Sequence, residues 1–344
     1  MQTTIRMIHS DSLSCEPIVR RMPNGDLLCV SQIGDVTEPA PLNRVSSLRS
    51  LDNGATWGKP ESVYPETGEA VYLTEVNVVE DVVRVYLEVH SGRFLNMRCV
   101  VMESRDSGHT WVDAGMPPFF PTFTFLRGLL TLRNGNRLMP YQHMPVSAAE
   151  NVRLVIASHN IVDFRKQKGV WDANIHAIQN GVILWSAQGG APDRCIGPDI
   201  PIKGETGRHW VWSEPTLAEL SDGTIAMLLR VDRSGCLWRS DSRDGGRTWS
   251  ETMPTDIPNP GNKPKLLALP GGRIGLLHTP NAKARWPFAL WISDDDMRTW
   301  GDQRILADFP IRYDYPDGFV EGNDLYGSIE INRHEILFFH CEDV

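Results

Sequence analysis

The chain has 344 residues, of which 41% are hydrophobic and 22% charged, and this composition is that of a globular protein. The net charge of −9 argues against a nucleic acid or an anionic membrane as partner, because both attract basic surfaces. Its apolar runs are shorter than the roughly 18 residues that span a bilayer, and its start lacks a signal peptide's apolar stretch. The six scattered cysteines show no metal-ligand spacing. We therefore expect a cytoplasmic protein with reduced, mostly buried thiols and neither metal nor cofactor.

Six pairs of short apolar runs, each interrupted by a turn, follow one another along the chain. Runs of this length with Gly, Asn or Asp at the break are typical of antiparallel β-hairpins. In chain order the predicted hairpins span residues 17–30, 72–90, 127–138, 215–229, 264–277 and 315–330.

An eight-residue phrase, Ser-x-Asp-x-Gly-x-Thr-Trp, recurs at residues 50–57, 104–111, 242–249 and 293–300, the last with Met297 in place of glycine. Its aspartate can accept backbone N–H bonds within a tight loop, and glycine tolerates positive φ. Its tryptophan supplies a large apolar surface as the chain returns to a strand. Four copies indicate a repeat protein.

A hairpin followed by further strands and an aspartate tip makes a four-stranded sheet every 50 to 60 residues. One such sheet cannot bury both faces alone, so we predict a single all-β domain over residues 1–344, a six-bladed β-propeller. We expect the N-terminal strand to complete the last blade. We also expect a degenerate tip at Ser158–Asn160 in the third unit and a Gly/Pro-rich insertion at Gly189–Gly207 in the fourth.

In a propeller the starts of the innermost strands converge at one end of the central channel. Aligning the hairpins by their turn glycines puts polar residues at shared positions, which suggests a lined pocket. These are Glu16, Glu214 and Lys263 nine residues before the glycine, and Gln32, Gln142, Arg230 and Thr279 seven after it. Four histidines also fall near strand ends or turns, although a structural role is the simpler interpretation of each: His90, His143, His278 and His334.

The aspartate tips resemble those of the sialidase superfamily, and this similarity covers nearly the whole chain. The stretches 212–230, 278–293 and 313–318 resemble the family segments that carry the catalytic glutamate, the carboxylate-binding arginines and the tyrosine nucleophile. The resemblance implies Tyr315 as nucleophile and Glu214 as its base, since a neutral phenol needs an adjacent carboxylate to take its proton. It implies that Arg230 and Arg285 bind a substrate carboxylate. Tyr313 is an alternative nucleophile.

Two departures from the family pattern affect specificity. Sialidases open the first blade with Arg-Ile-Pro, whereas this chain has Cys15-Glu16-Pro17. The family's acid/base aspartate follows in the first blade, where Asp35 is the candidate here. Arg44 is an alternative source of the missing cationic contact, and Gln32, Gln142, Glu16 and His143 are further candidates for substrate binding.

The sequence favours an exo-acting glycoside hydrolase that releases a terminal acidic sugar. One alternative is a lyase acting on uronic acids, in which arginine neutralises the carboxylate while tyrosine and histidine move protons. Another is a non-catalytic carbohydrate-binding propeller, because fold does not dictate activity. In each case the expected partner is an acidic carbohydrate.

Overall fold

The computed structural model describes residues 2–92, 97–116, 124–143, 179–198, 213–231 and 234–344. Within these ranges the chain forms β-strands and one turn of 3-10 helix at Pro270–Gly272. The strands make six antiparallel sheets, each a blade of the ring, so the predicted all-β six-bladed propeller is confirmed. None of the described residues forms a helix long and apolar enough to cross a membrane.

The first three blades follow one another in the chain, and in each blade the chain runs from the inner to the outer strand. Blade 1 contains β2 (Ser14–Arg21), β3 (Leu27–Ile33), β4 (Arg44–Ser50) and β5 (Glu61–Ser62). Blade 2 contains β6 (Ala70–Val79), β7 (Val82–His90), β8 (Arg98–Ser104) and β9 (Val112–Asp113). Blade 3 contains β10 (Thr124–Leu126) and β11 (Leu130–Thr131), both paired with β12 (Arg137–His143), then β13 (Gln179–Trp185) and β14 (Asp193–Ile196).

The remaining three blades complete the ring, and the last one takes its outer strand from the start of the chain. Blade 4 contains β15 (Thr216–Glu219), β16 (Ile225–Leu229), β17 (Cys236–Ser242) and β18 (Met253–Pro258). Blade 5 contains β19 (Lys265–Ala268), β20 (Ile274–His278), β21 (Phe288–Ser293) and β22 (Asp302–Ala307). Blade 6 contains β23 (Tyr313–Glu321), β24 (Asp324–Ile331), β25 (Glu335–Cys341) and β1 (Thr3–Ser10).

The ring is closed by the pairing of β1 with β25, from Thr3 opposite Cys341 to Ser10 opposite Glu335. The expectation that the N-terminal strand completes the last blade is therefore confirmed. All six predicted hairpins are present as the antiparallel pairs β2–β3, β6–β7, β11–β12, β15–β16, β19–β20 and β23–β24.

The hydrophobic core lies between the blades. Each of the six interfaces holds its own cluster of buried side chains, such as Ile18 and Val30 of blade 1 with Leu73 of blade 2. The interface between blades 6 and 1 includes Phe338 and Val19. All six cysteines are free thiols, most of them buried. Because apolar area is buried only when neighbours are present, the blades stabilise one another round the ring.

The aspartate tips are closed loops between the third and fourth strands of a blade. In blade 1, Asp52 accepts the Ser50 hydroxyl at 2.8 Å through Oδ1 and the Thr56 hydroxyl at 2.6 Å through Oδ2. The Gly54 N–H donates to Ser50 Oγ at 2.8 Å. The bonds from Thr56 and Ser50 lower the pKa of Asp52 to about 2. The tips at Asp106, Asp244 and Asp295 repeat these bonds.

The tip tryptophans pack on the preceding blade. Trp57 of blade 1 lies against Phe338 of blade 6, with ring centroids 5.7 Å apart. Trp111, Trp249 and Trp300 likewise border the clusters that their blades share with blades 1, 3 and 4. Each phrase therefore joins a hairpin tip to a blade interface.

Blade 3 differs from the sequence prediction. Its tip is the turn that follows β13, where Ser186, Gln188 and Gly190 occupy the positions of Ser, Asp and Gly in the phrase. The expected tip at Ser158–Asn160 was therefore wrong, and those residues lie outside the described ranges. Gly189 and Gly190 belong to blade 3 and not to an insertion in blade 4, while residues 199–207 of that predicted insertion are also outside the described part.

We predict that the tip glycines differ in their tolerance of a side chain. A Cβ at Gly54 would lie 2.3 Å from the Phe338 ring, whereas at Gly246 the nearest atom would be 3.1 Å away. Both residues have positive φ. Gly54→Ala should therefore lower the free energy of unfolding by about 2–5 kcal/mol and Gly246→Ala by about 1–2 kcal/mol. Urea denaturation of both variants would measure this, and equal losses would contradict the packing argument.

Candidate active site

Three residues at the axial end of the inner strands have a left-handed backbone. They are Glu16 with φ 53°, Glu214 with φ 33° and Tyr315 with φ 51°, and each is followed by a proline. The other described non-glycine residues with positive φ lie in turns, loops and the chain end. Such strained conformations persist only where the surroundings fix them, and they cluster at functional sites.

A buried charge network joins these residues across the channel. Arg127 of blade 3 donates from Nη1 to Glu16 Oε2 at 3.1 Å, and its Nη2 lies 3.7 Å from Glu214 Oε1. The Tyr72 hydroxyl of blade 2 donates to Glu16 Oε1 at 2.6 Å. With Lys263 and Tyr315 these residues form what we call the axial cluster, one from each blade in order: Glu16, Tyr72, Arg127, Glu214, Lys263 and Tyr315.

The two predicted carboxylate-binding arginines lie beside this cluster. Arg230 follows β16 and donates from Nη1 to Glu214 Oε2 at 2.8 Å. Arg285 lies before β21, pairs with Asp314 and donates from Nη2 to the Gly261 carbonyl at 2.7 Å. Both guanidiniums act electrostatically on Tyr315.

Tyr315 therefore lies among four of the residues that the sequence singled out. Burial raises the pKa of its phenol well above the usual value, and the carboxylates of Glu16 and Glu214 raise it further. Arg230 and Arg285 act in the opposite direction. The phenol is thus neutral at rest, and any attack through its oxygen requires a base.

Glu214 has the properties of that base. Burial alone would raise the pKa of its carboxyl, but Arg230 and then Arg127 outweigh burial, and the pKa lies below its ordinary value. The group is 1% exposed and remains ionised because of these guanidiniums.

Tyr313, the alternative nucleophile, faces away from the channel. Its ring is buried in the cluster between blades 5 and 6 and lies 6.3 Å from the Phe288 ring. The register of β23 shifts between Asp314 and Asp317, and the turn of this hairpin is only two residues long. Counting from Gly322 therefore selected a position two residues away from the axial one.

Polar side chains on the second strands hold the inner strand of the next blade. Gln142 Oε1 accepts the Glu214 N–H at 2.8 Å, and Glu330 Oε2 accepts the Glu16 N–H at 2.9 Å. Glu88 Oε1 accepts the Thr124 N–H at 3.0 Å. Gln142 thus positions Glu214. Gln32 is fully buried, and neither atom of its amide group has a hydrogen-bond partner among the described residues.

Asp35 and Arg44 lie at the rim, in and after the β3–β4 loop. The Asp35 carboxylate accepts the Val36 N–H at 2.8 Å, and its carbonyl accepts the Ser12 hydroxyl at 2.5 Å. Arg44 is exposed at the start of β4. Among the described residues, no hydrogen bond or ion pair joins either side chain to Tyr315.

The histidines occupy separate surroundings. His143 Nδ1 lies 3.1 Å from Thr124 Oγ1, and His90 Nδ1 accepts the Gly92 N–H at 3.0 Å. His278 is buried edge-on to Trp291, and exposed His334 lies 2.6 Å from the Ser12 carbonyl. Within the described ranges no three His, Cys, Asp or Glu side chains gather as metal ligands.

Sequence reasoning missed Arg127 and Tyr72 as members of the site. Both open inner hairpins, so the start of each predicted hairpin was the signal that could have found them. Lys263 did share the register of Glu16 and Glu214, but no role followed from that position alone.

Below the axial cluster the channel holds a second layer of charge, which we call the lower cluster: Arg20, Glu75, Lys265 and Asp317. Arg20 pairs with Glu75 at 2.8 Å and with Asp317, which also accepts Lys265 at 3.0 Å. A cavity of about 740 Å³ opens at this end, and Arg127 lies on its wall. These pairs tie blades 1, 2, 5 and 6 together.

We expect the Glu16–Arg127 pair to be strongly coupled. Glu16→Gln or Arg127→Gln leaves one buried charge without its partner, which costs about 3–5 kcal/mol. The double variant should lose less than the sum of the single variants, by at least about 1 kcal/mol. A double-mutant cycle from urea denaturation measures this coupling.

The matched control for that cycle is the Glu103–Arg105 pair, in which the arginine side chain is 73% exposed. Its coupling should be below about 1 kcal/mol. Additive losses at Glu16 and Arg127 would show that their contact contributes nothing to stability.

Glu88 should make stability depend on pH. Burial raises the pKa of its carboxyl to about 8 from an ordinary 4.5, so the folded state binds more protons than the unfolded state between these values. The stability that protonated Glu88 contributes is therefore fully present below the pKa of the unfolded state. It is lost as the pH rises through the pKa of the folded state. The stability of Glu88→Gln relative to that of the wild type should therefore increase as the pH rises from 5 to 8. Urea denaturation midpoints of both proteins at each pH would measure this difference. A constant difference would contradict the assignment.

Comparison with known proteins identifies the family of this chain. The family model of the BNR repeat-like domain matches residues 68–331. No curated protein sequence matches the chain significantly.

Solved structures share the fold at low sequence identity. A protein of unknown function from Dyadobacter fermentans is 14% identical with a TM-score of 0.70, over 99% of this chain and 98% of that one. The Hadza microbial sialidase Hz136 is 16% identical with a TM-score of 0.68, over 96% of this chain and 66% of that one. The Trypanosoma rangeli sialidase, solved with the inhibitor DANA, is 16% identical with a TM-score of 0.64, over 97% and 55%.

The family match covers most of the chain, and the neighbours share its six-bladed architecture. The aspartate tips and the polar channel mouth agree with that match. The protein belongs to the BNR repeat-like domain family, and its fold is similar to that of solved sialidases.

Proposed function

We propose that this protein is a sialidase-like exo-glycoside hydrolase that releases a terminal acidic sugar, such as a sialic acid, from a glycan. The observation that carries the proposal is the position of Tyr315. Its phenol lies within electrostatic range of Glu16, Glu214, Arg230 and Arg285, which come from three other blades.

In the proposed reaction Tyr315 attacks the anomeric carbon while its proton passes to Glu214. The C–O bond to the leaving group breaks as the bond to the tyrosine oxygen forms. Asp35, in its rim loop, would give the leaving oxygen a proton. Water then attacks the glycosyl–tyrosine intermediate, Asp35 takes a proton from that water, and Glu214 returns its proton to the phenolate.

The electrostatics of the site support a neutral nucleophile with a carboxylate base. The raised pKa of Tyr315 and the lowered pKa of Glu214 keep the proton on the phenol until substrate is bound. A phenol also suits an anomeric carbon that bears a carboxylate, because an anionic nucleophile would be repelled. Arg230 and Arg285 supply the positive charge for that carboxylate.

A carbohydrate-binding propeller without turnover is the second candidate. The observation in its favour is that Glu16, Glu214 and Asp314 already pair with Arg127, Arg230 and Arg285. Such a balanced network can hold a sugar without driving chemistry. The histidine contacts give less support to a uronate lyase, because His143 contacts Thr124 and His334 contacts the Ser12 carbonyl.

We expect Tyr315→Phe to lower kcat by at least about 10³-fold, because the nucleophilic oxygen is lost while the ring remains. The assay is release of sugar from a fluorogenic aryl glycoside of N-acetylneuraminic acid and from sialyl-oligosaccharides. Tyr313→Phe is the matched control, since it loses the same hydroxyl from the same strand at a core position and should keep wild-type activity.

Other outcomes would replace the proposal. An unsaturated, ultraviolet-absorbing product would identify a lyase. Saturable binding of acidic oligosaccharides without any product would identify a binding protein. Equal activity in the Tyr315→Phe and wild-type proteins would remove Tyr315 from the mechanism.

A further inference from the structure

Lys263 occupies the position in the axial cluster between the two proposed catalytic groups. It precedes the inner strand of blade 5, between Glu214 of blade 4 and Tyr315 of blade 6. The side chain is 5% exposed, and its Nζ lies 6.0 Å from the centroid of the Tyr315 ring. A lysine with this burial requires an explanation, because burying a charge costs free energy unless it is paired.

The nearest acidic partner is shared with other cations. Lys263 Nζ lies 3.9 Å from Asp317 Oδ2, which already accepts Lys265 Nζ at 3.0 Å. The other oxygen of Asp317 bonds Arg20. Lys263 thus forms a weak ion pair with Asp317 of the lower cluster. Its charge also interacts electrostatically with the axial cluster.

Charged groups from the surrounding blades act on Lys263. Burial lowers the pKa of its amine below the usual 10.5; Asp317, Glu16 and Glu75 oppose this, and Arg127 adds to it. Glu214 and Tyr315 complete its surroundings from blades 4 and 6. In turn, the Lys263 charge helps to lower the pKa of Glu214, after the contributions of Arg230 and Arg127.

We propose that Lys263 is a positioning residue of the site, whose ammonium favours the ionised forms of Glu214 and of Tyr315 as its proton leaves. The inference rests on the proposed function for its catalytic consequence. When Tyr315 attacks, its proton goes to Glu214 and negative charge develops on the phenol oxygen until the bond to carbon forms. A fixed cation beside the ring lowers the energy of that state.

This role makes the site dependent on the protonation of one amine. Above the pKa of Lys263 the amine is neutral, and the phenol loses the cation beside it. The resulting loss of activity on the alkaline side is a property that simple packing by Lys263 would not produce.

The first test measures electrostatic coupling without any substrate. The protein is labelled with carbon-13 at the glutamate side-chain carboxyls, and the Glu214 signal is assigned by its absence in Glu214→Gln. Lys263→Met should raise the pKa of Glu214, whereas Lys263→Arg should leave it near the wild-type value. An unchanged pKa in folded Lys263→Met overturns the inference, whatever reaction the protein catalyses.

The second test is the pH dependence of kcat on a fluorogenic glycoside of N-acetylneuraminic acid. Lys263→Met should lower kcat by about 10²-fold, and Lys263→Arg should restore most of it and extend activity to higher pH. An alkaline limit that Lys263→Arg does not move contradicts the role of the amine. If no variant or wild type turns over, the proposed function fails, and the Glu214 titration still decides the inference.

Lys265→Met is the matched control, because Lys265 lies two residues away and bonds the same Asp317 from the lower cluster. It should reduce stability without moving the Glu214 pKa or the alkaline limit. If Lys263→Met does not fold, Lys263→Gln replaces it, since glutamine also removes the charge and keeps a polar head. Thermal unfolding checks that each variant is folded.

Discussion

Each blade of this protein buries its two faces only against its neighbours, and the remainder of the structure depends on that constraint. Six separate apolar clusters occupy the six interfaces, and the last of them forms because the first strand of the chain pairs with β25. An open row of blades would leave two apolar faces in water. Closure of the ring is also what brings the starts of six inner strands, far apart in sequence, to one end of a common channel.

That convergence buries several charged side chains close together, and ion pairs between them offset the cost of removing them from water. Ionisable side chains from every blade meet where little water remains, and buried charges persist only with partners. Glu16 stands where the resemblance to sialidases predicts an arginine, yet Arg127 reaches it from blade 3. The positive charge is therefore displaced around the ring and not lost. This arrangement distinguishes the site from the family pattern while keeping guanidinium groups around Tyr315.

The sequence predicted most of the architecture because its signals are local. Hairpins and aspartate tips depend on residues a few positions apart, and the tips were found wherever the phrase was intact or differed at one position. In blade 3 the phrase is degraded to Ser186, Gln188 and Gly190, so extrapolation from the spacing of the first two tips placed the third tip wrongly. Tyr313 and Tyr315 could not be separated because a strand bulge and a shorter turn change the register.

The sequence by itself determined the repeat, the number of blades and several of the polar residues at the ends of the inner and second strands. Only the tertiary structure decided which of them share an electrostatic environment. Arg127, Tyr72 and Lys263 join the site through contacts between blades, and the position of each residue at the start of an inner strand does not specify those contacts. Asp35 and Arg44 lie at the rim, because the β3–β4 loop carries them away from the axis. Side-chain direction at the axis follows from bulges and from closure of the ring, which are properties of the assembled blades.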